Sequence, residues 1–324
     1  MKHVEINGNL YYLGDCIEGC RKHVGDNSID LIITDPPFAI EGDKLHKHYN
    51  RKEEFVIDGY IEVPASEYQD FSIAWINEAE RILRPGGLMY IVSGYSHLYE
   101  IQHALKQTKL TEINHIIWKY NFGVYTRKKY ISSHYHILYY AKPPLQKVTF
   151  NLGSRYGVDE KGNDKSSLNY TDREDVWIIN REYKPGVIKN KNELPSQLLI
   201  KMLQYSSNEG DLVCDLFMGG FTTAKACIGL NRRFVGFELS QVAFDHQINE
   251  IPKVSPNHLL DKIRVPLDDL FKNRGQSWTE DEVVSVKSDF ESLIAQGKTK
   301  QFSIEVLCGK YGRGRWAIER VLKR

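Results

Sequence analysis

The chain has 324 residues, of which 41% are apolar and 26% charged, and its formal net charge is +1. These are ordinary globular values, sufficient for one large or two modest domains with a sizeable core. They exclude a chain that attracts polyanions through its overall charge, so any nucleic-acid contact must come from local basic patches such as Arg127-Lys128-Lys129 and the C-terminal Lys310, Arg313, Arg315, Arg320, Lys323 and Arg324. The five cysteines, Cys16, Cys20, Cys214, Cys227 and Cys308, form no CxxC pair and no Cys/His ligand spacing. They read as reduced core thiols and no metal site is expected. No signal pattern opens the chain and no apolar run approaches a membrane span, so a soluble, cytoplasmic protein is expected.

In chain order, strand and helix patterns alternate. Leu10–Leu13 reads as a short strand, Asp15–Val24 as a helix and Asp30–Thr34 as a buried strand. Residues 39–63 are polar and read as a long loop. Tyr68–Leu83 is amphipathic and is stopped by Arg84-Pro85-Gly86-Gly87. Leu88–Ser93 follows as a strand, Ser96–Gln107 as a helix, and Ile113–Trp118 and His134–Ala141 as strands. Residues 143–192 lose the rhythm and read as an irregular insert. The alternation resumes with the helix Leu194–Gln204, the strand Asp211–Asp215, the helix Thr222–Leu230 and the strand Arg233–Glu238. This order predicts a doubly wound, Rossmann-like α/β sheet over residues 1–251. Residues 252–276 read as a linker. Residues 277–324 read as a small helical module: Thr279 and Glu282 form a capping box, and Ser303–Leu307 and Trp316–Leu322 are helical runs separated by a Gly309–Gly314 turn, as in a helix-turn-helix unit.

Two segments carry chemistry. Leu31-Ile32-Ile33-Thr34 stops at Asp35-Pro36-Pro37-Phe38. Two consecutive prolines cannot continue a sheet ladder, because neither has an N–H to donate. They hold a carboxylate, a carbonyl and an aromatic ring at a strand's carboxyl end, where open α/β sheets bind ligands. The set suits a flat amino-bearing heterocycle: the ring stacks on Phe38, and the amino hydrogens go to Asp35 and the Pro36 carbonyl. Far along the chain, Asp215-Leu216-Phe217-Met218-Gly219-Gly220-Phe221-Thr222-Thr223 reads as a strand end, a glycine turn and a helix start. The turn lets backbone approach a ligand, and the helix N-terminus offers free N–H groups. Glu238 ends the next strand at the spacing of an acid that grips ribose hydroxyls, so a nucleoside-containing cofactor is expected. The all-glycine GxGxxG fingerprint is absent, which argues against a dinucleotide.

Together these motifs resemble the β-class amino-methyltransferases of DNA. Asp35-Pro36-Pro37-Phe38 is similar to their Asp-Pro-Pro-Tyr/Phe catalytic motif, and the segment from Asp215 to Thr223 to their Asp-Pro-Phe-x-Gly-Ser-Gly-Thr-Thr cofactor motif. The catalytic motif comes first, which matches the circularly permuted β order. Leu13-Gly14-Asp15-Cys16-Ile17-Glu18 resembles the family's opening, whose Asp lies near the cofactor adenine. The chain departs from the pattern at Leu216 and Phe221, where the family has proline and glycine, and at Asn190–Pro195, where it often has His-Pro-Thr-Gln-Lys-Pro.

The resemblance implies transfer of a methyl group from S-adenosyl-L-methionine, leaving S-adenosyl-L-homocysteine, to the N6 amino group of adenine in DNA, by base flipping and direct in-line attack. Asp at the first catalytic position goes with adenine in this family, and Ser with cytosine N4. Asp35, Pro36, Pro37 and Phe38 would be catalytic; Asp15, Asp215, Phe217, Gly219, Gly220, Thr222 and Glu238 would bind the cofactor. Lys44, His46, Lys47, His48, Arg127, Lys128 and Lys129 would touch DNA phosphates, with residues 143–192 as the target-recognition insert. Trp278-Thr279-Glu280-Asp281-Glu282 resembles the start, and the stretch from Tyr311 to Arg320 the turn and last helix, of Myb/SANT-like modules, which implies an accessory DNA grip through Arg313, Arg315 and Arg320. A homodimer and a cognate restriction endonuclease are compatible partners in a prokaryotic or phage-encoded setting. The alternatives are a cytosine-N4 enzyme, an RNA or protein amino-methyltransferase, and a non-catalytic DNA-binding protein.

Overall fold

The computed structural model describes residues 1–37, 63–121, 123, 125, 127–182, 193–260, 273 and 276–323; for Gln301, Glu305 and Trp316 it describes the backbone alone. The chain divides into two compact units, one of residues 1–151 with 174–262, the other of residues 152–173 with 263–324.

The first unit is built on a sheet of nine strands among the described residues: β1 (Lys2–Ile6), β2 (Asn9–Leu13), β3 (Ile29–Thr34), β4 (Leu83–Ser93), β5 (Thr111–Lys119), β6 (His134–Ala141), β7 (Val176–Ile178), β8 (Leu212–Asp215) and β9 (Arg233–Glu238). Their spatial order is β1-β2-β9-β8-β3-β4-β6-β5-β7. Strands β2, β9, β8, β3 and β4 run parallel. β6 returns antiparallel to both β4 and β5. From β3 the chain proceeds outward to β4, whereas from β8 it proceeds to β9 on the other side. The boundary between β3 and β8 is therefore a topological switch point, where the carboxyl ends of parallel strands open a crevice.

Helices α1 (Cys16–His23), α2 (Tyr68–Ile82), α3 (Leu98–Leu105), α4 (Ser196–Ser206), α5 (Thr222–Gly229) and α6 (Gln241–Ile248) cover the sheet. α2 lays Trp75, Ile76, Ala79 and Ile82 into the core beside Ile32, Met89 and Ile91 of the sheet. The central strands are buried on both faces, as the unbroken apolar run of β3 requires. α4 starts one residue after Pro195, which lacks the N–H and restricts the residue before it.

Three elements differ from the sequence expectation. β1 is an addition to it, although Asn7-Gly8 is a strong hairpin signal; both residues adopt positive φ (53° and 78°) and join β1 to β2. The insert is not wholly irregular. Val176–Ile178 adds β7 to the sheet edge, where three residues are too few to display a period. Arg84-Pro85-Gly86-Gly87 does not separate helix from strand; it already lies in β4, with a register shift against β3 that absorbs it.

Among its described residues the second unit contains a one-turn helix, Leu168–Asp172, and three helices, α7 (Glu280–Ala295), α8 (Lys300–Tyr311) and α9 (Arg315–Leu322). Thr279 and Glu282 make the expected capping box at α7. Val286, Ile304, Leu307, Cys308, Ile318 and Val321 form a small core, with Phe290, Leu293 and Leu322 against it. α8 runs through Gly309 to Tyr311 and ends at Gly312 in the left-handed region, so the expected turn is shorter than the sequence suggested.

Among the described residues no helix is long and apolar enough to cross a membrane, and no three His, Cys, Asp or Glu side chains are placed to hold a metal ion. All five cysteines are buried free thiols.

Candidate active site

The site lies at the switch point. Thr34, the last residue of β3, is fully buried and its hydroxyl donates to Asp215 Oδ1 at the end of β8 (3.1 Å). The same oxygen accepts the Phe217 backbone N–H (3.1 Å). These bonds tie the two motif-bearing strands together at their carboxyl ends. Asp35 follows Thr34 directly, and its Oδ1 is buried without a hydrogen-bond partner among the described residues. Burial, and next the Asp215 charge, push the Asp35 carboxyl well above the usual carboxylate range; Arg181 opposes the shift. The turn beyond is pinned by the Tyr68 hydroxyl, which donates to the Pro37 carbonyl (2.6 Å). Tyr68 is itself buried, with His97 against its ring at 4.6 Å.

The second motif forms the facing wall. Gly219 donates its N–H to Glu238 Oε2 (2.8 Å), and Ser240 donates to Oε1 (2.7 Å). Both Gly219 and Phe221 have positive φ (49° and 55°). The tight turn thus survives the replacement of the family glycine by Phe221, at a cost of about 1–2 kcal/mol for a left-handed non-glycine residue. Packing offsets that cost: the fully buried Phe221 ring stacks on Tyr11 (5.7 Å) and meets Phe244 edge-on (5.9 Å). At Gly220 a Cβ would meet the Glu193 side chain, with Oε1 2.5 Å away, so the Glu193 side chain rests directly against the glycine turn. Thr222 opens α5, and Phe217 rests edge-on against Trp75 (5.6 Å).

Burial raises the Asp215 carboxyl to about 6, against the stabilising hydrogen bonds from Thr223, Phe217 and Thr34. Burial raises Glu238 to about 7, opposed by the Ser240 and Gly219 N–H groups. Asp15 caps α1 by accepting the Glu18 N–H (2.9 Å), while Gly14 beside it donates to the Glu238 carbonyl (2.8 Å). Asp15, Glu238, Asp215 and Asp35 therefore stand in a row, at the ends of β2, β9, β8 and β3. Four carboxyls along one crevice, with glycine backbone and a helix start, suit a nucleoside that carries positive charge.

Sequence reasoning missed Arg181, which carries no motif and lies in the polar insert. Its guanidinium sits over the rings of Tyr120 (4.9 Å), Tyr135 (5.3 Å) and Trp118 (5.9 Å). Tyr68 was missed as an anchor for the same reason: in sequence it is one more apolar position of α2.

The expected DNA contacts divide. Phe38, Lys44, His46, Lys47 and His48 lie outside the described residues. Arg127, Lys128 and Lys129 are exposed between β5 and β6, next to Tyr130, which is 97% exposed. Arg315 is exposed but bonds Glu319 one turn on (2.9 Å), and Arg320 is exposed. Arg313 does not face solvent, contrary to expectation. Its side chain is 4% exposed and bonds the Gln276 and Ser277 carbonyls and Glu282, with the guanidinium 4.3 Å over Trp278. These contacts make it a structural clamp of the helical unit.

Known proteins match this architecture. A family model described as DNA methylase (N6_N4_Mtase) matches residues 29–250. Type II methyltransferase M.HpaI of Haemophilus parainfluenzae is 32% identical over 228 residues, which cover 68% of this chain and 67% of that protein. Type II methyltransferase M.HinfI of Haemophilus influenzae is 27% identical over 263 residues, 77% of this chain and 70% of that protein. Two solved structures share the fold. TTHA0409 of Thermus thermophilus, solved with S-adenosyl-L-methionine, is 23% identical with a TM-score of 0.51, covering 75% of this chain and 94% of that one. PvuII DNA methyltransferase (cytosine-N4-specific) is 13% identical with a TM-score of 0.53, covering 77% and 94%. On the family match and the identity to M.HpaI, the chain belongs to the DNA methylase family, whose amino-methyltransferases depend on S-adenosyl-L-methionine.

Proposed function

We propose that this protein is a site-specific DNA methyltransferase that places a methyl group on the N6 amino group of adenine. The observation that carries the reading is Asp35: a carboxylate at the switch point with a buried, unpartnered oxygen, beside the wall of glycine backbone and carboxyls. An exocyclic amino group is a poor nucleophile because its lone pair is delocalised into the ring. The Asp35 carboxylate and the Pro36 carbonyl accept its two hydrogens and favour the pyramidal geometry that frees the pair. Acceptors fixed in advance act where charge develops, and cost no reorganisation during reaction. Asp35 is also placed to hold the proton released from the amino group. Tyr68 keeps the Pro36-Pro37 turn in register for this task.

The residues present fit the cofactor. Glu238 is the acceptor for ribose hydroxyls, Gly219 and Gly220 allow close backbone approach, Thr222 brings the α5 N-terminus, and Asp15, Asp215 and Phe217 line the rest. When bound, S-adenosyl-L-methionine supplies a methyl group activated on a sulfonium. The aspartate at the first position of Asp35-Pro36-Pro37 favours adenine over cytosine.

The test is digestion to nucleosides of DNA incubated with the protein and S-adenosyl-L-methionine, followed by mass spectrometry. N6-methyldeoxyadenosine is expected. N4-methyldeoxycytidine would replace adenine by cytosine in this reading. Methyl transfer to RNA or protein alone, with none to DNA, would overturn it.

A further inference from the structure

Helix α2 carries one aromatic face that touches both motifs. Tyr68, Phe71 and Trp75 stand at i, i+3 and i+7, a spacing that puts them on one side of the helix. Tyr68 opens the helix, and its hydroxyl donates to the Pro37 carbonyl (2.6 Å). One turn on, the Phe71 ring lies 5.9 Å from that of Tyr68 and 5.8 Å from that of Phe217. A further turn on, Trp75 meets Phe217 edge-on (5.6 Å). The catalytic turn and the cofactor motif therefore rest on one rigid element, at points about 10 Å apart along its axis.

Both ends of this bridge are fixed. Tyr68 and Trp75 are fully buried, and the His97 ring braces Tyr68 from α3 (4.6 Å). The Ser72 hydroxyl donates to the Tyr68 carbonyl (2.7 Å), and Ile76, Ala79 and Ile82 hold the rest of α2 in the core. Phe217 is held by its own N–H, which donates to Asp215 Oδ1, the oxygen that also accepts the Thr34 hydroxyl. The contacts form a closed circuit. It runs from Thr34 to Asp215 and Phe217, across Phe71 and Trp75 to Tyr68, and through Pro37 back along the chain to Thr34. Asp35 and Pro36, which hold the amino group in the proposed reaction, lie on the closing segment. Phe71 is only partly buried, so it adds less to the core than its neighbours do, yet its ring joins Tyr68 to Phe217.

In-line transfer needs this closure. The reacting atoms must stand about 3–3.5 Å apart and aligned, and a misplacement of about 1 Å costs roughly 10²-fold. We infer that Phe71 and Trp75, acting with Tyr68, are positioning residues: the aromatic face of α2 is a spacer that sets the catalytic turn against the cofactor motif. This rests on the proposed DNA-methyltransferase function and goes beyond it, assigning the alignment of methyl donor and amino group to a helix outside both motifs.

The experiment uses the full chain and plasmid DNA prepared from a host without amino-methylation. Wild type, Tyr68→Phe, Phe71→Leu and the double variant are compared in single-turnover methyl transfer at saturating DNA and S-adenosyl-L-methionine. Cofactor Kd by calorimetry and denaturant midpoints are measured alongside. Phe71→Leu is expected to slow transfer about five- to tenfold, with the cofactor Kd within about threefold of wild type. Phe71→Tyr keeps the ring and is expected to restore the rate to within about twofold of wild type. The double variant is expected to be no more than about twofold slower than the slower single, because both changes open the same circuit. A merely structural role would lower the denaturant midpoint and leave the rate of the folded, saturated protein unchanged. That result, losses that multiply in the double variant, or a loss confined to cofactor Kd would overturn the assignment. Should Phe71→Leu not fold, the same comparison with Phe71→Met decides. A wild-type protein that binds cofactor but methylates no DNA would remove the proposed function, and this assignment with it; an active wild type whose variants behave as a structural role requires removes this assignment alone.

Discussion

Replacing Glu238 with Gln should make the protein more stable at pH 8 and worse at binding its cofactor. Glu238 accepts two backbone N–H groups, one at each carboxyl oxygen, yet burial still lifts its carboxyl from 4.5 to about 7. A carboxyl whose pKa rises on folding favours the folded state fully only below its unfolded value, and that advantage is lost as pH rises to the folded value. With these two values the wild type forfeits about 2.5 kcal/mol between pH 5 and pH 8, at about 1.4 kcal/mol per pH unit. The amide cannot ionise and forfeits none of it. Its NH2 group meets one of the two N–H donors badly, which adds a penalty of about 1–2 kcal/mol that does not vary with pH. The signature is therefore the slope: the stability of Glu238→Gln relative to wild type should climb by about 2.5 kcal/mol from pH 5 to pH 8, read from denaturant midpoints. Calorimetry supplies the functional half. In its proposed role the ionised carboxylate accepts from the ribose hydroxyls, so wild-type affinity for S-adenosyl-L-methionine should fall about tenfold from pH 8 to pH 6, while the Gln variant stays weak and flat. A stability difference that is constant across this pH range, or a wild-type affinity that does not change, would refute both the burial argument and the assigned role.

Three further outcomes follow from the geometry. Asp35→Ala should lower methyl transfer by about 10²-fold or more, the usual loss for a preorganised contact, with cofactor binding kept; retained activity in single-turnover assays would contradict the direct contact. Tyr68→Phe removes the hydroxyl that holds the Pro37 carbonyl and should cost about 1 kcal/mol, seen as a kcat roughly five- to tenfold lower with unchanged cofactor affinity. A change in cofactor affinity alone would place the effect elsewhere. Exchanging Arg127, Lys128 and Lys129 together for Ala should flatten the salt dependence of DNA binding by up to about 0.9 per lost phosphate contact, whereas Arg313→Met should leave that slope intact and instead destabilise the helical unit in which Arg313 is buried. An unchanged slope in the triple variant would make that cluster ordinary solvated surface.

Both motifs were legible in the sequence because their local physics needs no tertiary context. A β-branched and apolar run ending in Asp-Pro-Pro must stop a strand, since proline cannot donate. A strand, a glycine pair and a helix start must form a tight turn with free N–H groups. The alternation of periods two and 3.6 then defines the α/β class. Local signals also existed for β1, in Asn7-Gly8, and for the α7 cap, in Thr279 and Glu282. Spatial neighbours were a different matter. That β3 lies against β8, so that Thr34 bonds Asp215 across 181 positions of sequence, is a property of strand order, which no local pattern encodes. The tolerance of Phe221 at a left-handed position depends on Tyr11 and Phe244 closing around it, contacts made by strands and helices distant in the chain. The same holds for two arginines, one reassigned by the fold and one that the sequence did not single out. Arg313 reads as one of a basic group and is withdrawn into a clamp by Gln276, Ser277, Glu282 and Trp278. Arg181 reads as one polar residue of an insert and is brought against a cluster of three aromatic rings by the pairing of β5, β6 and β7. The sequence by itself determined where the two motifs end their strands and turn; the packing of the sheet decided which other side chains stand beside them, because a long side chain takes its partners from the fold and not from its neighbours in the chain.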